Sequence, residues 1–432
     1  MKREITRNND GNDNAGRRTF LKNLSALSAA GGAAAMLPDA ALAEPRSAGV
    51  ENMRLAQAED PKPKPKPKPQ ITATIEKGDF STLQEMVFAA KRNLPPDLWT
   101  HLVGGSDSET TIRRNRMAFE TLALRQRVLV NVNNLDTSTT FLGQKLSIPL
   151  FISPVGGYTG LANPQGVLPV VRGAEAAGTV AVIASNVRPG FEAAAKASKN
   201  PFISQLYITS DRRWLADRLD RVRAAGYRGL AVTVDRNFYA RRERDMITGF
   251  ERGGAGDDQS HQASLDWDQI AWIKEYVKLP LLLKGIATAE DAELAVKHGI
   301  QVIWISNHGG RQLDQGEGTL DVLPEIAKAV RGRAEIVLDG GVLRGSDVVK
   351  AVCLGARAVG VGKLMGYALA AGGEAGVRNM LELMTAEIRS VMGLIGATTV
   401  KELTPSRVKR AMAVQFPSVT SAFPWFEEQM RR

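Results

Sequence analysis

Residues 302–314 read Val302-Ile303-Trp304-Ile305-Ser306-Asn307-His308-Gly309-Gly310-Arg311-Gln312-Leu313-Asp314: four apolar residues run straight into a polar, glycine-rich loop. A short unbroken apolar run suits a strand buried on both faces, as in a parallel sheet. The same pattern repeats on either side. Candidate strands fall at Pro149–Ser153, Val180–Ala184, Phe202–Tyr207, Leu230–Val234, Leu281–Lys284, Val302–Ser306, Glu335–Leu338 and Ala358–Val361. Amphipathic stretches such as Leu215–Ala225, Ala289–His298, Leu320–Val330 and Ser346–Leu354 fill the gaps. Eight strand–helix units over roughly 215 residues predict an α/β fold of the (β/α)8 TIM-barrel class. An open doubly wound sheet would want a G-x-G-x-x-G turn after its first strand. Pro154-Val155-Gly156-Gly157 is not one.

The first seventy residues read differently. Arg17-Arg18-Thr19-Phe20-Leu21-Lys22 precedes a small, mildly apolar run from Leu24 to Leu37, and Ala41-Leu42-Ala43 supplies an A-x-A cleavage site. Charged, apolar and small-residue regions in that order predict a twin-arginine signal peptide over residues 1–43, and with it export to the periplasm. The run is too short and too rich in Gly and Ala for a permanent span, and no later segment approaches ~18 continuous apolar residues. Residues 44–70 form a linker in which Pro61-Lys62 repeats through Pro69. It reads as a stiff polyproline II spacer kept solvated by its lysines. The barrel domain takes up 71–432.

Net charge is +10, and much of the excess sits in Lys2, Arg3, Arg7, Arg17, Arg18, Lys22 and the lysines of the Pro-Lys run. That distribution argues against a nucleic-acid binder, whose basic residues would cluster on the folded domain. The single cysteine, Cys353, excludes an intramolecular disulfide. Its apolar setting, Ala351-Val352-Cys353-Leu354, predicts a buried helix position rather than a reactive thiol.

Tyr207, Thr233, Asp235, Lys284, His308, Asp339 and Gly362 all fall at or just beyond the C-terminal end of a candidate strand. In a TIM barrel that face carries the active site. His308 is followed by two glycines that let the backbone turn sharply against a ligand, and Arg311 can form a bidentate pair with a carboxylate. A base beside a carboxylate clamp suits proton abstraction next to a carboxylate. Lys284 ends an apolar strand, where it would point a fixed positive charge at a developing anion; a Schiff-base lysine would look the same in sequence. Asp235 can support a histidine and the imidazolium it becomes, or pair on the surface with nearby Arg241 and Arg242. Asp339-Gly340-Gly341-Val342-Leu343-Arg344-Gly345 and Val359-Gly360-Val361-Gly362-Lys363 follow the last two strands, where barrels commonly bind phosphate. A phosphorylated cofactor is implied.

Taken together with Leu94-Pro95, the turn Val103–Asp107, the Asn115/Phe119 spacing, Gln205-Leu206-Tyr207, Thr233-Val234-Asp235, Arg241-Arg242-Glu243 and Leu283-Lys284-Gly285, these motifs run from about residue 75 to 405. Over that span the chain resembles the FMN-dependent 2-hydroxy-acid dehydrogenases and oxidases, the glycolate, lactate and mandelate enzymes and a flavocytochrome among them. The resemblance implies FMN as cofactor and oxidation of a small L-2-hydroxy acid, lactate-like or larger, to the 2-oxo acid. Oxygen, a quinone or a cytochrome would be the acceptor, and a homotetramer or larger the assembly. It implies His308 as the base, Asp235 as its support, Arg311 and Arg242 as the carboxylate clamp, and Tyr207 as the partner of the substrate oxygen. FMN contacts would come from Pro154, Val155, Gly156, Ser185, Gln205, Thr233, Lys284, Ser306, Asp339, Gly340, Gly341, Arg344, Gly362 and Lys363.

The chain departs from the family at several points. His101 stands where the family has a substrate-binding tyrosine; it is expected to reach the substrate and, if protonated near neutral pH, to strengthen carboxylate binding. Leu343 and Lys363 stand where two phosphate-site arginines are usual, and Pro154-Val155-Gly156 replaces a Pro-Thr-Ala turn. The segment between Arg242 and Trp267, which should hold a lid, is short. Two alternatives follow: an FMN barrel with an altered substrate, or a binding protein that keeps FMN and turns nothing over. Other FMN barrels, such as the IMP dehydrogenase and dihydroorotate dehydrogenase types, lack the Ser-Asn-His-Gly-Gly-Arg cluster. Replacing Arg17 and Arg18 together with lysine is expected to trap the precursor inside the cell, as read by fractionation and immunoblotting. Undiminished export would rule out the twin-arginine route.

Overall fold

The eight anticipated strands are all present: β1 Leu150–Ile152, β2 Val182–Ala184, β3 Ile203–Leu206, β4 Gly229–Thr233, β5 Leu281–Ile286, β6 Val302–Ile305, β7 Glu335–Leu338 and β8 Ala358–Val361. The structure is a computed structural model and describes residues 79–251, 260–414 and 416–431. The expected signal peptide (1–43) and linker (44–70) lie outside the described residues. Each strand pairs in parallel with its neighbour, in the order β1-β8-β7-β6-β5-β4-β3-β2. The ring is brought together by a parallel bridge between Ile152 and Ala181, just ahead of β2, where the Ile152 N–H donates to the Val180 carbonyl at 3.0 Å. The result is a nearly closed eight-stranded barrel of the TIM type.

The strands are apolar on both faces because they are buried on both. Interior positions form one cluster of Phe151, Phe202, Ala231, Leu282, Val302, Trp304 and Val337, with Phe141 and Leu146 joining it from a hairpin, Thr139–Phe141 and Gln144–Leu146. Phe141 meets Phe202 edge-on at 5.4 Å, and Phe151 meets Trp304 edge-on at 5.1 Å. Since Phe202 precedes β3, the hairpin closes the end where strands begin. Function is left to the other end. The outward-facing residues bury the apolar stripes of the helices, such as Leu215, Leu219 and Val222 of Arg212–Ala224. Helix starts are set locally: Thr82, Asp211, Asp266 and Thr288 each accept a backbone N–H in the first turn, the capping pattern that satisfies an otherwise orphaned donor. Cys353 is buried in the helix Gly345–Cys353, as expected, and burial pushes its thiol up to about 12. Among the described residues no helix is long and apolar enough to cross a membrane.

One barrel strand runs longer than its sequence suggests. The reading that stops β5 at Lys284 is corrected by the register: β5 continues to Ile286, with an irregularity against β6 between Lys284 and Ile286. Gly285 occupies it at φ +122°, and a Cβ there would lie 2.6 Å from the Asp235 Cβ. A bulge of this kind re-aims a strand end beside a site, and only glycine lets the chain carrying Asp235 lie so close. Gly285→Ala is expected to destabilise the fold by about 1–3 kcal/mol from backbone strain, read as a lower denaturant midpoint. An unchanged midpoint would show that the bulge is not required.

Candidate active site

The loop after β6 is built from left-handed turns. His308, Gly309 and Gly310 have φ of +58°, +66° and +75°. A non-glycine residue in that region is uncommon and is held by its surroundings. Here the hold is visible: the His308 N–H donates to Ser306 Oγ at 3.1 Å, and Asn307 exchanges side-chain hydrogen bonds with Asn115 at 2.8 and 2.9 Å. Further along, Gln312 donates to the Asp235 and Phe238 carbonyls, and Asp314 accepts the Ser108 and Thr111 N–H groups. Nearly every polar residue of 306–314 fixes the loop to a different neighbour.

His308 Nδ1 lies 3.1 and 3.2 Å from the two Asp235 carboxylate oxygens, and Nε2 lies 3.1 Å from the Tyr207 hydroxyl. An ionised carboxylate only accepts, so Nδ1 carries the hydrogen and Nε2 the lone pair. Burial pushes the imidazole below its ordinary 6.5, and the Lys284 charge adds to this against the pull of Asp235. Burial alone would raise the Asp235 carboxyl, but His308 and Lys284 bring it below its ordinary value. The phenol of Tyr207 is raised by burial and stays protonated. Arg236 lies over the Tyr207 ring at 4.4 Å and over Tyr239 at 4.3 Å, which fixes the phenol from its open side. The arrangement is a neutral imidazole with a supported Nδ1–H and a basic Nε2 aimed into the barrel mouth.

Below it lies a buried charge. Lys284 Nζ donates to Ser306 Oγ at 2.8 Å and stands 3.7 Å from Asp339. Burial would strip its proton, but Asp339 and Asp235 hold the ammonium above its ordinary value. Asp339 accepts from Ser306 Oγ at 2.6 Å, and from Trp304 Nε1 and Ser153 Oγ at 3.1 Å each. Beside Lys284, Gln205 donates to Thr233 Oγ1 at 2.8 Å, whereas its buried Oε1 has no hydrogen-bond partner among the described residues. Buried acceptors are rarely left so; this one fits a ligand N–H, such as that of a planar heterocycle. Ser185 Oγ accepts the Tyr207 N–H at 3.3 Å. The Pro154-Val155-Gly156 turn after β1 meets the β8 end, with Val155 Cγ2 3.8 Å from where a Gly362 side chain would begin.

Two anticipated roles are corrected. Arg344 is turned away from the mouth: it pairs with Glu387 at 2.6 Å and donates to the Ala422 carbonyl. The first N–H groups of its helix are spoken for as well, Leu343 and Arg344 donating to Asp347 and Gly345 to Glu387. On the same side Gly340 and Gly341 turn at φ of +105° and +81°, and a helix starts at Lys363. The Lys363 side chain reaches the Gly104 and Gly309 carbonyls at 3.3 and 3.2 Å, and burial with Arg311 and Arg242 nearby pushes its ammonium well below the usual range. Leu343 is buried in the core.

The second correction concerns His101, which is not a charged contact waiting for a ligand. Its Nδ1 lies 3.1 Å from both Asp245 oxygens and its Nε2 lies 3.1 Å from Arg311 Nη2. Burial pushes it down to about 4, the Asp245 hydrogen bond pulling the other way and Arg311 opposing that. Arg311 in turn donates to the His101 and Gly104 carbonyls at 2.6 and 2.8 Å, and Arg242 donates to the Arg311 carbonyl at 3.3 Å. Asp245 sits in the helix Glu243–Thr248, within the segment anticipated as a lid; residues 252–259 of that segment lie outside the described residues. Sequence reasoning missed Asp245, since an acidic residue in a helix's first turn is ordinary. It also missed Gln262, which bridges the Ile208 N–H and the Thr233 carbonyl.

The family model described as FMN-dependent dehydrogenase matches residues 90–255 and 251–410. The chain is 36% identical over 354 residues to glycolate oxidase of Spinacia oleracea, covering 76% of this chain and 96% of that one. It is 36% identical over 346 residues to L-lactate oxidase of Nostoc sp., covering 73% and 94%. A crystal structure of mandelate oxidase with (S)-2-phenylpropionate superposes with a TM-score of 0.71 at 35% identity, over 78% of this chain and 100% of that one. A pH titration of the His308 ring resonances should place its midpoint below the ordinary 6.5. In Asp235→Asn it should fall further, because the carboxylate that favours the imidazolium is gone. A midpoint at or above the ordinary value would contradict the burial of the ring beside Lys284.

Proposed function

This chain belongs to the FMN-dependent dehydrogenase family, and from that premise we propose that it oxidises an L-2-hydroxy acid, lactate-like or larger, to the 2-oxo acid with oxygen as acceptor. The substrate loses two electrons and two protons. What FMN supplies when bound is a two-electron sink, emptied in turn by dioxygen to give hydrogen peroxide. Gln205, Thr233, Lys284, Ser306 and Asp339 would hold its ring and side chain, Pro154 to Gly156 and Ser185 would border it, and Gly340, Gly341, Gly362 and the backbone N–H of Lys363 would take its phosphate. The partnerless Gln205 Oε1 and the buried Lys284 ammonium support that assignment: one wants a ring N–H, the other a place where negative charge builds.

The observation that carries the reading is the Asp235–His308–Tyr207 line, with Arg311 three residues along the same loop. Arg311, with Arg242 behind it, would hold the carboxylate and thereby set the hydroxyl-bearing carbon against His308. The Nε2 lone pair would take a substrate proton, and Asp235 would stabilise the imidazolium at Nδ1 as the charge appears. Tyr207, kept protonated by burial, would donate to the substrate oxygen. A silent binding protein would have no use for a paired, neutral base facing a carboxylate clamp. Acceptance of oxygen is favoured by relatives that are oxidases. Export by the twin-arginine route belongs to the same proposal, since a folded crossing suits a protein that acquires FMN in the cytoplasm.

Flavin released from the purified protein should run as FMN on chromatography, and anaerobic mixing with glycolate, L-lactate and (S)-mandelate should bleach it with at least one of them. His308→Ala should keep the flavin and slow bleaching by ~10²–10⁴-fold, the usual contribution of a general base. Release of FAD, no flavin after reconstitution, or bleaching by none of the three would overturn the assignment.

A further inference from the structure

Two histidine–aspartate pairs converge on this barrel mouth, and the reaction as described uses only one. The other is His101 with Asp245. His101 is in the last turn of the helix Pro96–Val103, and Asp245 is in the first turn of the helix Glu243–Thr248. Both carboxylate oxygens stand 3.1 Å from His101 Nδ1, and the ring stacks on Phe250 at 4.2 Å with planes 22° apart. The same logic that fixes His308 applies here: a carboxylate only accepts, so Nδ1 carries the hydrogen and Nε2 presents a lone pair. That lone pair faces Arg311 Nη2 at 3.1 Å. The guanidinium's other end is fixed by the same helix, whose C-terminal carbonyls at His101 and Gly104 accept from Nη1 at 2.6 and 2.8 Å. The carbonyl end of a helix carries partial negative charge and favours a cation.

We propose that Asp245 and His101 are positioning residues that hold Arg311 in one orientation for the substrate carboxylate, through an Asp245–His101–Arg311 relay. The inference rests on the oxidase reading given above and adds to it the way the clamp is held. His101 here does not touch the substrate. Its work is to offer Arg311 an acceptor on a rigid ring, and that work requires the neutral form: a second N–H on the ring would face the guanidinium N–H groups head-on. Burial favours that form, and Arg311 and Arg242 add to it against the pull of Asp245. The ring's position is in turn tied to a helix in the segment after β4, so the clamp's geometry depends on how that segment docks.

Three variants test the relay, with flavin content confirming that each folds. His101→Phe keeps a flat ring on Phe250 and deletes the acceptor; Asp245→Asn deletes the charge that fixes the tautomer; His101→Gln restores an acceptor oxygen. The first two should raise KM for the best hydroxy acid, and the dissociation constant for oxalate measured by calorimetry, by about 10- to 100-fold. That is the range expected for one hydrogen bond to a charged group. The loss should fall on KM far more than on kcat, and His101→Gln should recover most of it. Damage that is merely structural would lower flavin content and kcat together and would not be rescued by glutamine; that outcome overturns the relay. So does wild-type oxalate affinity in His101→Phe. If the wild type bleaches with no hydroxy acid and binds no oxalate, the oxidase reading fails and the relay with it. If the wild type does both and the variants match it, only the relay is overturned.

Discussion

The Lys284 ammonium, buried under the barrel mouth, is the charge around which the site is arranged. Burying an ion costs several kcal/mol even after relaxation, and the fold offsets that with Asp339 at 3.7 Å and Ser306 at 2.8 Å. Asp339 is itself satisfied by Ser306, Trp304 and Ser153, drawn from β6, its following loop and the end of β1. A half-satisfied network would be worse than an apolar plug, so three strand ends are committed to one register. The consequence reaches upward: burial keeps His308 neutral with the Lys284 charge adding to it, and Asp235 is kept ionised by His308 with Lys284 adding to that. A base and its support are thereby set in the protonation states that proton abstraction needs.

The fold was legible because a parallel barrel writes itself into sequence as short apolar runs ending in polar residues. All eight strands appear where the runs are, and their C-terminal ends gather Tyr207, Asp235, Lys284 and His308 as anticipated. What could not be read was anything decided between distant segments. The β5 bulge is invisible locally, since Lys284-Gly285-Ile286 is an ordinary strand ending until Asp235 must pack on it. The phosphate-loop reading overreached at Arg344, because its partner Glu387 lies 43 residues downstream and no local pattern announces the pair. The hairpin at 139–146 went unread for the same reason: Phe141 and Leu146 look like any loop hydrophobes until they fill the barrel's lower end.

His101 shows the limit most clearly. From sequence it is a histidine where the family resemblance implies a tyrosine, and free imidazole chemistry suggests a charge near neutral pH. Its surroundings reverse that expectation, since a desolvated ring between a carboxylate and a guanidinium is held neutral by burial. The two histidines of the mouth thus share one design. Each has Nδ1 committed to an aspartate and Nε2 left as an acceptor, one facing the Tyr207 hydroxyl and the other facing Arg311. The difference in role comes from what stands opposite Nε2, not from the residue or its partner. A tyrosine in place of His101 would bring a hydroxyl that donates as well as accepts, with no carboxylate-fixed tautomer behind it, so the replacement alters more than pocket size. It moves position 101 from the list of groups that meet the carboxylate to the list of groups that decide where Arg311 meets it.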